Sequence, residues 1–114
     1  MTETAVPSVA LDGNRAWRYD SSVIKSFKCP DTEDLFNRKR VARFVNIETV
    51  ARRKLEQLNQ AGELSDLRIP PGNRLEALKG ARAGQYSIRV NDQFRICFRW
   101  AGMGVEDVEI VDYH

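Results

Sequence analysis

The chain closes on VEDVEIVDYH, so that Asp112, Tyr113 and His114, its one histidine, stand side by side at the end of an alternating stretch. A carboxyl, a phenol and an imidazole are groups that take up or release protons in catalysis. Upstream lie cations: Lys79 and Arg82 on the glycine-flanked segment KGARAG, then Arg89, Arg95 and Arg99. Gly80 and Gly84 let that segment's backbone come close to a phosphate. Cations that hold an anion beside groups that move protons make a candidate site for acid–base chemistry on an anionic substrate. Cys29 and Cys97 form no CxxC pair and have no companion histidines, so both read as reduced thiols and no metal or other cofactor is expected.

Three strands must position these groups. In QYSIRVN the residues Tyr86, Ile88 and Val90 alternate with Gln85, Ser87 and Arg89; in FRICFRW the residues Phe94, Ile96, Phe98 and Trp100 alternate with Arg95, Cys97 and Arg99. Each strand has one apolar face. In the last strand Val108 and Ile110 share a face with Asp112, and Val111 shares the other with Tyr113. Keeping the apolar faces together sets the register, because a slip of one residue turns every side chain over. Pairing Val90 with Phe94 and Ile88 with Ile96 closes a hairpin over Asn91-Asp92-Gln93 and puts Arg89 opposite Arg95. Two like charges in that position cost up to ~1 kcal/mol, which suggests an anion between them. Pairing Phe98 with Val108 puts Arg99 opposite Asp107 and carries Tyr113 towards Arg95. The polar face is therefore expected to be basic at its centre and to end in Tyr113.

Each of these residues also has an ordinary structural reading. Arginines on the outer side of an antiparallel sheet are usually a solvated face, and Lys79 alone is a surface lysine. Asp112 can cap the edge of the core, Tyr113 can pack its ring on the sheet, and His114 can be a frayed terminal residue.

Before the strands, SVIKSFKC predicts a short strand and PDTEDLFNR a short helix with Asp31 or Thr32 as N-cap. Ile47, Val50, Ala51, Leu55 and Leu58 recur at steps of three and four, predicting a longer helix that Gly62 ends. SDLRIPPGNRLEALKGARAGQ is broken by prolines and glycines and reads as a long loop with one strand-like piece at RLEAL. Loops of this length in a small domain are usually functional. With 114 residues there is room for one core, so helices followed by an antiparallel meander predict a single α+β domain. A net charge of +2 excludes little. No apolar run approaches the ~20 residues of a membrane span and no secretory signal is visible, so no membrane partner is expected and the cytosol is the default compartment. Residues 1–22 show no period and are expected to be a flexible leader, with the domain over residues 23–114.

The segment RLEALKGARAGQYSIRVNDQFRICFRW followed by VEIVDYH, together with IKSFKC and DLFN, resembles the HigB-type toxins of the RelE-like superfamily. The likeness covers roughly residues 23–114. It implies a RelE-like α+β fold, with an N-terminal strand and two helices packed on a curved antiparallel sheet. It also implies a bacterial, ribosome-dependent mRNA endonuclease that is neutralised by a HigA-type helix-turn-helix antitoxin and meets operator DNA only through it. The family's LKG lysine falls on Lys79, the arginine of its WRI strand on Arg95, and its terminal DYH on Asp112, Tyr113 and His114. These are the implied catalytic residues, with Arg82, Arg89 and Arg99 as RNA-binding candidates. Where a family member has a histidine three residues before the lysine, this chain has Glu76, which is given no role. Family chains usually begin Met-Ile-Lys-Ser-Phe, which aligns with Val23 to Phe27, so residues 1–22 can also be an extension upstream of a valine start codon.

Metal-independent RNA cleavage uses the ribose 2′-OH against the adjacent phosphate. A base must take its proton, cations must neutralise the phosphate, and an acid must protonate the leaving oxygen. Arg95 and Lys79 are expected to handle the charge and Asp112 to lead as base, with Tyr113 donating, accepting or stacking on a base and His114 available as base or acid. Two other functions fit the same residues: a catalytically inactive module that binds the antitoxin and modulates repression, and a ribonuclease acting on naked RNA.

Overall fold

The computed structural model describes residues 23–102 and 104–113. The leader expected over residues 1–22 and the candidate His114 lie outside the described residues. Two helices, α1 (Pro30–Phe36) and α2 (Glu48–Gln60), precede four strands: β1 (Glu76–Ala77), β2 (Tyr86–Arg89), β3 (Phe94–Ala101) and β4 (Gly104–Asp112). The strands form one antiparallel sheet in the order β1-β2-β3-β4, so the fold is α+β, as expected.

The helices cover one face of the sheet. Leu35 of α1 and Ala51, Leu55 and Leu58 of α2 are buried with Phe44 and Ile47 against Ile88, Ile96, Phe98, Val105, Val108 and Ile110. Thus the apolar periods of 3.6 and 2 meet in a single core. The predicted first strand is an extended segment rather than a full strand. It runs parallel to β4 through bridges Ile24 to Val105 and Phe27 to Val108, and so covers the outer edge of β4.

Helix ends differ from expectation. Cys29, not Asp31 or Thr32, is the N-cap of α1, because Pro30 takes the first helical position. Thr32 is buried instead, and its Oγ1 accepts the backbone N–H of Ile110 at 3.0 Å, tying α1 to β4. At the far end α2 stops at Gln60 with Ala61 extended, so Gly62 does not act as a left-handed cap. Its N–H donates to Asp66 Oδ2 at 2.9 Å. Asn59 finishes α2 by accepting the N–H groups of Val23 and Ile24 on its Oδ1 at 3.0 and 2.9 Å.

The long loop is built of short 3₁₀ turns at Leu64–Arg68, Pro71–Asn73 and Gly80–Arg82, with β1 between the last two. Leu67 and Asn73 anchor it. Asn73 is fully buried, donates to Leu67 O and Gln57 Oε1 at 3.1 Å each, and accepts Lys54 Nζ.

The predicted hairpin register holds: Ile88 pairs with Ile96 and Arg89 with Arg95, and the Val90 N–H donates to Phe94 O. The next hairpin departs from it. Cys97 pairs with Glu109 and Arg99 with Glu106, so Asp107 and Val108 together oppose Phe98 in a β-bulge, with Asp107 at φ 55°. Val105 and Val108, three residues apart, would face opposite ways in a regular strand. The extra residue lets both be buried. It also moves Arg99 from opposite Asp107 to opposite Glu106, although the Arg99 Nε–Asp107 Oδ2 pair still forms at 3.4 Å.

Candidate active site on the polar face of the sheet

Arg95 is the most constrained of the expected site residues. It projects from the middle of the sheet, and its side chain is only 12% exposed. Nε donates to Ser87 Oγ at 2.7 Å across the strand pair, and Nη2 donates to Arg74 O at 2.6 Å. Arg74 lies in left-handed backbone (φ 46°), ending the Pro71–Asn73 turn. Glu76 Oε1 lies 3.6 Å from the same Nη2. Nη1 makes no hydrogen bond among the described residues, which leaves that edge of the guanidinium for an anion.

Tyr113 follows the end of β4 and is half-buried, its N–H bonded to Gln93 O. Burial raises its phenol above the ordinary tyrosine value, with Cys97 and Glu76 adding to the rise and Arg82 and Arg95 opposing it. Those four neighbours place the ring over the polar face. Beneath it Cys97 is fully buried, and burial pushes its thiol up while Arg82, Arg95 and a hydrogen bond to Tyr113 pull the other way. The expected approach of Tyr113 to Arg95 is therefore present.

Lys79 precedes the Gly80–Arg82 turn, exposed and with no hydrogen bond or ion pair for its ammonium among the described residues. Gly80 follows at φ +63°, a conformation that glycine adopts freely, and nothing stands within 4 Å of where a Cβ would be. Asp112 sits elsewhere. It pairs with Phe94, lies on the other side of the pleat from Tyr113, is exposed, and accepts Gln93 Nε2 at 3.0 Å.

The remaining arginines are braced by carboxylates. Arg82 Nη1 donates to Glu109 Oε2 at 3.2 Å and to Gln85 Oε1 at 3.1 Å, and Lys28 approaches the same Glu109 oxygen at 3.7 Å. Arg99 pairs with Asp107, and Arg89 with Asp92. The like-charged cross-strand pair expected of Arg89 and Arg95 thus exists in the backbone register, but the two guanidinium groups have separate acceptors. Residue reasoning gave Glu76 no role and missed Ser87 and Glu109. Glu109 was within reach of it, since residues 109, 111 and 113 share a face and Glu109 opposes Cys97. Among the described residues no group of three His, Cys, Asp or Glu side chains is arranged to hold a metal ion, and no helix is long and apolar enough to cross a membrane.

A family model gives the class of protein to which this α+β chain belongs. The model, described as the RelE-like toxin of the type II toxin-antitoxin system HigB, matches residues 25–114, and the chain belongs to this HigB-like family. It is 56% identical over 55 residues to Toxin HigB-1 of Vibrio cholerae serotype O1, covering 48% of this chain and 58% of that one. An uncharacterized protein of Haemophilus influenzae is 36% identical over 63 residues, 55% of this chain and 62% of that one. The chain thus spans about three-fifths of the length of the curated relatives it matches. Two solved structures are similar at a TM-score of 0.48: a YoeB-YefM complex from Staphylococcus aureus (17% identity, 80% of this chain and 97% of that one) and a YoeB/ParE toxin from Agrobacterium tumefaciens (19%, 79% and 99%).

Proposed function

We propose that the chain is a ribosome-dependent endoribonuclease that cuts translated mRNA and is held inactive by a HigA-type helix-turn-helix antitoxin. The observation that carries this is the grouping of a preorganised Arg95, a half-buried Tyr113 and Glu76 on the polar face, with Lys79 exposed on the preceding loop and without a partner for its ammonium among the described residues. The substrate phosphate meets the free Nη1 edge of Arg95 and the Lys79 ammonium, which neutralise its growing charge. A carboxylate takes the 2′-OH proton, and the 2′ oxygen attacks phosphorus. The bond to the 5′ oxygen then breaks as Tyr113, protonated at neutral pH, gives its proton to that oxygen. The products are a 2′,3′-cyclic phosphate and a 5′-hydroxyl end, and the carboxyl returns its proton to the phenolate through solvent.

Glu76 is the carboxylate favoured by position, because it contacts Arg95 and raises Tyr113. Asp112 serves in this reading through Gln93, whose carbonyl also holds the Tyr113 N–H. Its own role as base, and the part of His114, belong to the same proposal and are separated by substitution. Arg82, Arg89 and Arg99 assist in binding RNA. The ribosome supplies orientation that so small a set of proton-transfer groups lacks.

The test is to induce the chain in a bacterial host and map new RNA 5′ ends, with Lys79→Ala, Glu76→Gln and Asp112→Asn variants alongside. In-frame 5′-hydroxyl ends within translated messages, lost in Lys79→Ala, are the expected result. Wild-type cleavage by Lys79→Ala would overturn the residue assignment. Absence of new ends with unchanged growth would favour a module that binds the antitoxin and modulates repression. Omitting ribosomes tests action on naked RNA.

A further inference from the structure

We infer that a second anion site, suited to the phosphates of a bound RNA strand, lies between α2, the Pro71–Asn73 turn and the end of β2. It rests on the ribonuclease reading above and extends it from the cleavage point to the path of the strand. A cavity of about 310 Å³ opens here. Arg53 and Lys54 of α2 and Arg89 of β2 line it, and Val50, Pro70 and Val90 form apolar wall. No carboxylate contributes to the lining.

These cations are built into place. Lys54 Nζ donates to Oδ1 of the fully buried Asn73, whose amide is fixed on Leu67 O and Gln57. Arg53 has no hydrogen bond or ion pair among the described residues. Arg89 has one carboxylate, Asp92, which is almost fully exposed in the hairpin loop. Burial and the nearby charges of Arg53 and Arg89 lower the Lys54 ammonium below its ordinary value, so the free protein bears the repulsion of three cations with little to offset it. An oxyanion in the cavity would relieve that repulsion.

Continuity favours RNA over an acidic protein segment. Arg89 is the register partner of Arg95, so the cavity begins one strand away from the cleavage site. A polyanion with evenly spaced phosphates can engage Arg95, Arg89 and Arg53 in succession, and its ribose or base can rest on Val50, Pro70 and Val90. A lone carboxylate could enter the cavity but would not account for that path.

The test uses the full chain and a short, labelled, fully 2′-O-methylated single-stranded RNA, which cannot be cut. Binding is followed by fluorescence anisotropy across a salt series for wild type, Arg53→Ala/Lys54→Gln, and an Arg38→Ala/Arg40→Ala control of equal charge loss; circular dichroism checks folding, and Arg53→Ala alone serves if the double variant unfolds. We expect the cavity variant to bind about tenfold more weakly, with the slope of log K against log salt reduced by ~0.7 for each phosphate that is no longer neutralised. The control should match wild type. Equal weakening in the control, or an unchanged cavity variant, would overturn the site. Loss of binding to a poly-glutamate peptide with RNA binding intact would reassign it to a protein partner. If wild type makes mRNA ends in cells while the cavity variant binds RNA normally, only this inference fails. If wild type neither binds RNA nor makes ends, the ribonuclease reading fails with it.

Discussion

The polar sheet face and the cavity beside α2 are both rich in cations, yet they treat them differently. On the sheet Arg82, Arg95 and Arg99 each meet a carboxylate, Glu109, Glu76 and Asp107 respectively. In the cavity Arg53, Lys54 and Arg89 converge with no carboxylate in the lining. Pairing holds a guanidinium in one geometry but reduces the charge it presents, which suits groups that must be preorganised around a reacting phosphate. Convergence in which the one paired cation, Arg89, meets only the exposed Asp92 leaves field for attraction, which suits capture. Lys79, outside the strands, is the exception: it is exposed and its ammonium has no partner among the described residues.

The strongest way to break this contrast is Arg95→Ala. If preorganised charge on the sheet face drives the chemistry, cleavage should fall by about 10²–10³-fold, the usual loss when one aimed donor is removed. Arg95→Lys should recover little, since an ammonium cannot reproduce the fork that binds Ser87, Arg74 O and Glu76 at once. Counting cleaved messages at matched soluble protein level is the measurement, and near-wild-type cutting by Arg95→Ala would reduce the arginine to a structural brace.

Tyr113→Phe probes the proton-transfer half of the same face. A drop in cleavage of about 10²-fold is expected if the phenol is the acid. Its raised pKa also fixes the pH behaviour. The folded state holds the phenolic proton more tightly than the unfolded state, so the associated stability is complete below about pH 10 and is lost as pH rises through the folded pKa above it. Wild type should lose stability on that alkaline limb and Tyr113→Phe should lose less of it, as read by denaturant midpoints. Identical limbs would mean that Tyr113 is not held as described.

Much of this was legible in the chain. Strict alternation in QYSIRVN and FRICFRW specified the β2–β3 register, including Arg89 opposite Arg95, because only that pairing buries both apolar faces. The bulge in β4 was not read, because the expected register put Arg99 opposite Asp107, whereas Val105 and Val108, three residues apart, can both be buried only with an extra residue between them. Other features depend on chain segments that meet only in the folded state. The loop that carries Glu76 to Arg95 is pinned to α2 where Asn73 meets Lys54 and Gln57, and Thr32, inside α1 once Pro30 takes the first helical position, accepts the N–H of Ile110. Arg53 and Lys54 fall outside the apolar run of Ile47, Val50, Ala51, Leu55 and Leu58, and nothing local brings Arg89 to them.

The cysteines offer a gentler test of whether the sheet face is as closed as the contrast requires. Cys97 lies under Tyr113, fully buried, with its thiol pushed up by burial. Cys29 is half-buried at the start of α1. Burial raises its thiol, but bonds from Thr32 and Asp31 and the Arg43 charge outweigh that and leave it below the ordinary value. Iodoacetamide should therefore alkylate Cys29 in the native protein, with a rate that rises through a midpoint below pH 9. Cys97 should react only at the rate of unfolding. Rapid native labelling of Cys97, seen by peptide mass, would mean that the face opens readily and that Arg95 is not preorganised.

The smallest effect expected separates two contributions at the far end of the same face. Arg99 pairs with Asp107 at 3.4 Å with both side chains nearly half exposed, so Arg99→Ala should change stability by no more than ~1 kcal/mol. Gly84 lies beside it at φ +92°, and a Cβ there would come 3.0 Å from Arg99 Nη1. Gly84→Ala therefore faces two penalties, a backbone conformation that disfavours a side chain and a contact with a guanidinium. The second is cheap because that guanidinium ends a flexible chain, whereas the first costs about 1–3 kcal/mol wherever the arginine goes. The double variant Gly84→Ala/Arg99→Ala should consequently be about as destabilised as the sum of the two single changes, measured by urea midpoints. Recovery in the double variant would show that the arginine, held rigidly by Asp107, is what excludes a side chain, and would extend the fixed geometry of Arg95 to an exposed pair as well.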